Sequence, residues 1–257
     1  MTEELLFHLM TEAQLREWVE ANPGRVTQRC RGASPLEIAA GKNWLSLVQW
    51  LLDITGADVN TLSSFGNTPL QYASSVDILT ALMDRGADPT LPNEDGGTPL
   101  ITHALRGRVD LVARLLQDQR VRATINVQES HGYTALHWTS LNCWPKTTIP
   151  IFHLLLQAGV NLMITSTQED TALDLLREFD PTQNDAIALL EEYPSAKKDA
   201  DKASLLVEGR RLVTISRNAV APSYLQSRVL HDVPLPRVSL SPAGSDGIEE
   251  KDRSMLA

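Results

Sequence analysis

Cysteine is nearly absent. The 257 residues contain two, Cys30 and Cys143, in a chain long enough to bury a core without covalent staples. A disulfide scaffold is excluded, and a reducing compartment, cytosol and/or nucleus, is expected. Aromatic residues make up only 5%, and no run of about 18 apolar residues occurs, so no membrane insertion is expected. Residues 1–15 hold Glu3, Glu4 and Glu12 with no basic leader before a short apolar stretch, and they do not read as a signal peptide. Cations are in deficit: 23 Lys and Arg against 32 Asp and Glu leave a net charge of -9. Nucleic acid is therefore not the expected partner, because phosphate is attracted to basic surface.

The spacings that carry chemistry are missing as well. There is no Gly-x-x-x-x-Gly-Lys-Ser/Thr loop to cradle phosphate, no His-Glu-x-x-His helix and no Cys-x-x-Cys pair. No cofactor, metal ion or small-molecule substrate is expected, and the chain does not read as an enzyme. His103 falls at an inner-helix position where a core histidine satisfied by hydrogen bonding is expected rather than a general base. The acidic pairs Glu94-Asp95, Glu169-Asp170 and Glu191-Glu192 read as solvated charges at loop tips or a helix end.

What the sequence does contain is a repeat. A pentapeptide recurs as Gly32-Ala33-Ser34-Pro35-Leu36, Gly66-Asn67-Thr68-Pro69-Leu70, Gly96-Gly97-Thr98-Pro99-Leu100 and Gly132-Tyr133-Thr134-Ala135-Leu136, with a looser fifth copy, Glu169-Asp170-Thr171-Ala172-Leu173. The hydroxyl residues are spaced by 34, 30, 36 and 37 positions, around the period of a helix-turn-helix repeat. Each hydroxyl is placed to cap a helix, with proline at the first helical position in three copies, where a missing N–H costs nothing. Leu36, Ala39 and Ala40 form one apolar face of this inner helix, small enough for its neighbours to approach closely. Leu47, Val48, Leu51 and Leu52, and again Leu111, Val112, Leu115 and Leu116, form the stripe of an outer helix. Gly56, Gly86 and Gly159 stop that helix, and Ser63, Asn93 and Ser130 lead the chain into a hairpin.

These residues in this order resemble the ankyrin repeat family over residues 4–196. The resemblance implies a mainly α fold, a solenoid of about six helix-turn-helix units joined by β-hairpin loops. The ankyrin domain is placed at 1–196, in units of about 4–31, 32–65, 66–95, 96–131, 132–168 and 169–196. Residues 5–21 read as a capping helix pair, with Phe7, Leu9 and Met10 on the first helix and Leu15, Trp18 and Val19 on the second. Terminal units have one face in water, as a stack requires. The third unit is short, because Ala73-Ser74-Ser75 runs almost directly into its outer helix. The fifth is long, with residues 141–150 expected as a bulky turn carrying Trp144 as a possible loop anchor.

In this family the partner is another protein, gripped by hairpin tips and the exposed edge of the inner helices on the concave face. Carried over unit by unit, the candidate partner-binding residues are Arg31, Phe65, Asn67, Tyr72, Asp95, Arg106, His131, Tyr133 and Trp138, with the aromatic ones expected to contribute most. His137 occupies the family's Thr-Ala-Leu-His position, which implies a structural bond to the Thr134 hydroxyl rather than metal ligation with His131 and Cys143. The stretch around Asn60 resembles the sequence in which ankyrin proteins are hydroxylated at the hairpin asparagine. A non-catalytic adaptor, scaffold or inhibitor, a monomer by itself, is the expected function. The alternative is a regulatory or substrate-recruiting subunit of a larger enzyme complex.

Beyond residue 196 the charge changes sign. Residues 1–196 carry a net -11, residues 197–238 a net +4, and residues 239–257 two cations and four carboxylates. The segment 197–238 reads as a basic helical extension and 239–257 as a disordered tail. Whether the extension docks on the acidic repeats, acts as a linear motif or is inert stays open in the sequence.

Overall fold

The structure is a computed structural model in which residues 7–29, 32–54, 57–141 and 145–196 are described. The chain divides into two compact units, Met1–Pro222 and Ser223–Ala257. The second unit, the basic extension and Arg31, Cys30, Cys143 and Trp144 all lie outside the described residues.

The first unit is a solenoid of helix pairs. After a short 3₁₀ turn, Phe7–Leu9, come α1 (Glu12–Ala21), α2 (Pro35–Gly41), α3 (Leu45–Ile54), α4 (Pro69–Tyr72) and α5 (Val76–Asp84). They are followed by α6 (Pro99–Leu105), α7 (Val109–Leu115), α8 (Gln119–Ala123), α9 (Ala135–Ser140), α10 (Pro145–Gln157), α11 (Ala172–Phe179) and α12 (Asn184–Ala196). Inner helices α2, α4, α6, α9 and α11 stand side by side, and the outer helices α3, α5, α7, α10 and α12 form the second layer. The described residues contain no named strand; their one isolated bridge pairs Thr165 with Thr171.

The inner helices begin where the hydroxyl residues stand. Ser34, Thr98 and Thr171 accept from the backbone N–H three residues on. At Thr68 and Thr134 the principal cap runs the other way, from the backbone N–H of the cap residue to Gln71 Oε1 (2.7 Å) and His137 Nδ1 (3.2 Å). The core lies between the two layers: Leu36, Ala39, Ala40, Leu47, Val48, Leu51, Leu79, Leu82, Leu111, Leu115 and Phe152 are buried. Small residues at the inner-helix contacts let the helices approach. In the fifth unit Thr139 and Ser140 replace alanine there and satisfy their buried hydroxyls on the Ala135 and Leu136 carbonyls (2.7 and 3.3 Å).

Two expectations require correction. Among the described residues the first element of the N-terminal cap is the 3₁₀ turn Phe7–Leu9, and Thr11 and Gln14 build a capping box that starts α1 at Glu12; residues 5 and 6 of the expected first helix lie outside the described residues. Phe7 nevertheless enters the core and meets the Trp18 ring edge-on at 4.6 Å. The bulky turn expected over 141–150 is mostly helix, since α10 starts at Pro145 and carries Pro150 inside it. Pro145 fits a first helical turn, where an N–H is not needed, and Pro150 gives up one ladder bond near the helix start. The fourth unit also gains α8, whose Val121 is buried and whose start is capped by Asp118 accepting from Arg120 N–H.

Candidate functional site

The hairpin tips are built alike. In the second tip Gly66 N–H donates to the Ser63 carbonyl and Ser63 N–H to the Asn67 carbonyl (3.0 and 2.8 Å). The same two bonds recur from Gly96 and Asn93, from Gly132 and Glu129, and from Glu169 and Ser166. The turn needs a left-handed residue at its fourth position, and Gly66 and Gly132 supply it at φ 69° and 77°. A Cβ at either would also lie 2.7 Å from a backbone nitrogen of the next tip. The tips are in turn joined sideways: Ser64 N–H donates to the Gly32 carbonyl, Glu94 to Phe65, Ser130 to Asp95 and Thr167 to His131. One row of tips is therefore fixed to a single backbone frame.

A side-chain oxygen at the first turn position locks each tip from within. Ser63 Oγ accepts from Phe65 and Asn67 N–H, Asn93 Oδ1 from Gly97 N–H, and Ser166 Oγ from Gln168 and Asp170 N–H. In the fourth tip the role falls to Glu129, not to Ser130 as the pattern suggested. Glu129 Oε1 accepts from His131 and Tyr133 N–H at 3.0 Å each, and Oε2 pairs with His131 Nδ1 at 2.9 Å. Counting three residues back from Gly132, as from Gly66 to Ser63, identifies it.

The residue at the third inner-helix position ties tip to helix. Gln71 Nε2 donates to the Gly97 carbonyl (2.8 Å), and His137, bonded to the Thr134 hydroxyl at 2.8 Å as the resemblance implied, reaches the Asp170 carbonyl with Nε2 (3.3 Å). Burial lowers the His137 pKa, offset in part by that carbonyl bond. Glu37 holds the same place in the second unit. It accepts Ser34 N–H at 2.7 Å, and its buried Oε1 has no partner. Burial raises its pKa to about 7 despite the bonds to Ser34 and the charge of Arg29. His103 is a core residue, fully buried, with Nε2 2.9 Å from the Leu70 carbonyl; burial pushes its pKa down to about 3.

On this frame the candidate partner-binding residues fall into two places. In the second and third units, Phe65 projects with 65% of its surface exposed, beside exposed Leu62. Asn67 is held by Asn93 Nδ2 (2.9 Å), Tyr72 is half-buried, Asp95 is exposed, and Arg106 donates to the Gln71 carbonyl at 2.7 Å. Where the fourth unit passes into the fifth, His131, Tyr133 and Trp138 come together. Tyr133 stacks near His131 (6.3 Å) and meets Trp138 edge-on at 5.3 Å. Burial, then the charges of Asp170, Glu129 and Glu178, raise the Tyr133 pKa. Asn60 uses both amide atoms between units: Oδ1 accepts Asp88 N–H at 2.8 Å and Nδ2 donates to the Gly86 carbonyl at 3.4 Å. Among the described residues no cluster of three metal-ligating side chains occurs, and no helix is long and apolar enough to cross a membrane.

A family model of ankyrin repeats, three copies long, matches residues 3–93 and 75–166. The chain belongs to the ankyrin repeat family. Human Neurogenic locus notch homolog protein 2 is 32% identical over 143 residues, 54% of this chain and 6% of that protein. Alpha-latrocrustotoxin-Lt1a of Latrodectus tredecimguttatus is 28% identical over 138 residues, 52% of this chain and 9% of the toxin. The chain thus spans less than a tenth of the length of these curated relatives. A crystal structure of an ankyrin repeat protein superposes with a TM-score of 0.59 at 27% identity, covering 75% of this chain and all of that one. Ankyrin repeats are in general non-catalytic protein–protein interaction modules.

Proposed function

We propose that this protein is a non-catalytic adaptor, scaffold or inhibitor of the cytosol or nucleus that grips a protein partner through its hairpin tips and the concave edge of its inner helices. The observation that carries the reading is Phe65, a large apolar side chain left 65% exposed on a tip whose backbone is fixed on both sides. Exposing it gains nothing for the stack, whereas a rigid aromatic on a preorganised frame gives a partner apolar contact at little entropic cost. The Tyr133–Trp138 pair extends the same row, and the tips and inner helices together offer the area of a standard interface, about 800 Å² per partner.

The test is affinity capture with the full chain beside a variant carrying Phe65→Ala, Tyr133→Ala and Trp138→Ala, its fold checked by circular dichroism. Loss of a captured partner with the variant is the expected result. Retention of every partner would move the binding surface elsewhere.

A further inference from the structure

The four tryptophans among the described residues do not share one environment. Arg16 lies over Trp50 at 4.8 Å, Arg25 over Trp18 at 5.9 Å and Lys42 over Trp44 at 4.6 Å. Three indoles are thus covered by cations of the chain itself, the arrangement that an aromatic face and a positive charge favour. Trp138 is the exception: no cation from the described residues lies over it. It stands half-exposed on α9, steadied edge-on by Tyr133, with the exposed His131 ring beyond. Its indole N–H has neither an acceptor nor access to water, so it is a donor that a binding event can satisfy.

The charge along this part of the chain is mostly negative. Residues 126–196 hold nine carboxylates and two cations, Lys146 and Arg177, and Arg177 is paired with Glu191. Asp170, Glu129 and Glu178 are the charges that act on the Tyr133 phenol. An aromatic face inside a negative field favours a cation twice over, through the ring quadrupole and through the carboxylates. Apolar or acidic side chains gain at most one of these, and the acidic ones are repelled.

We infer that the Tyr133–Trp138 edge is the seat of an arginine or lysine side chain presented by an extended segment of the protein partner. The inference rests on the reading that this row of tips binds a protein, and it names the chemistry of the part that docks here. The guanidinium or ammonium group lies against the indole face, with Asp170 and Glu178 as its counter-charges. A small rotation of the indole then brings its N–H to a carbonyl of the docked segment.

The probe is an acetylated Gly-Arg-Gly-Arg-Gly peptide amide titrated into the full ¹⁵N-labelled chain, with the glutamate counterpart as control. The Trp138 indole resonance is identified by its absence in Trp138→Phe, a substitution that keeps an aromatic ring in place. A saturable shift of that resonance with the arginine peptide and none with the glutamate peptide is expected. Asp170→Asn combined with Glu178→Gln should weaken binding about threefold or more, and raising salt should weaken it further. An unmoved Trp138 resonance, or equal shifts with both peptides, overturns the inference. Should the triple alanine variant lose its captured partner while Trp138 ignores the arginine peptide, the interaction surface stands and only the basic character of the docked segment falls. A Trp138 shift produced by Arg210→Gln and Arg211→Gln without any peptide assigns the seat to this chain's own basic segment, and overturns the assignment to a partner.

Discussion

Arg106 Nη1 donates to the carbonyl of Gln71 across 2.7 Å, from the fourth unit into the third. The bond answers the shortness of α4, a helix of four residues whose last carbonyls have no further turn to accept from. His103 takes the Leu70 carbonyl at 2.9 Å, and Arg108 takes that of Ser74. The fourth unit thus finishes the third, with two positive charges at the negative end of its helix.

Arg106→Ala is expected to cost about 1–2 kcal/mol, the lower part of the range for a hydrogen bond from a charged donor, because solvent reaches the side chain. Chemical denaturation measures the loss. Hydrogen exchange should place it in residues 69–84, and equal loss of protection along the whole stack would contradict a local role.

Glu37 predicts a pH dependence of stability. Its folded pKa of about 7 exceeds the ordinary 4.5, so the folded chain holds a proton that the unfolded one releases between those values. The stabilising contribution is complete below pH 4.5 and disappears as pH rises through 7, by up to about 3 kcal/mol. His103 slopes the other way: with a folded pKa of about 3 against 6.5, its contribution is complete above pH 6.5 and is lost as pH falls toward 3. Glu37→Gln keeps an acceptor for Ser34 N–H and adds a donor where Gln71 and His137 have one. The variant should be more stable than the parent at pH 8 and should lose stability on acidification from pH 6.5, where the parent stays nearly level. Denaturation midpoints across pH 4–8 check both.

Glu169 stands in the left-handed region at φ 67° where the other four copies of the repeat carry glycine. Relief of that strain, less the entropy glycine adds to the unfolded chain, predicts that Glu169→Gly raises stability by about 0.5–1 kcal/mol. An unchanged or lower thermal midpoint would count against the prediction.

Glu129 holds three donors of the fourth tip at once. Glu129→Ala is expected to cost about 1–2 kcal/mol, because part-buried N–H groups lose a charged acceptor. It should also loosen His131 and Tyr133, visible as broadened amide resonances at those two residues.

Much of the fold was legible because the repeat writes its constraints in residue types: a hydroxyl and proline to start a helix, glycine for a left-handed turn, alanine where helices meet. The N-terminal turn and α10 were misread for local reasons. Phe7 gains its burial from packing on Trp18, and the proline pair at 145 and 150 reads as a loop until α10 shows Pro145 starting the helix and Pro150 inside it at the cost of one ladder bond. The site was legible only as a row of positions. That His131, Tyr133 and Trp138 form one cluster depends on a hairpin folding back onto a helix.

The sequence by itself determined the architecture of the repeats, their starts and the identity of the tip residues, because each follows from spacing along the chain and from what single residues permit. Only the tertiary structure decided which polar atoms meet. It gave the carbonyls of Leu70 and Gln71 in the short α4 to His103 and Arg106 and that of Ser74 just beyond it to Arg108, made Glu129 rather than Ser130 the lock of its tip, and left Trp138 without a cation while Trp18, Trp44 and Trp50 each received one. Such pairings join residues about 30 positions apart or depend on burial, and neither distance nor desolvation is written in the order of residues.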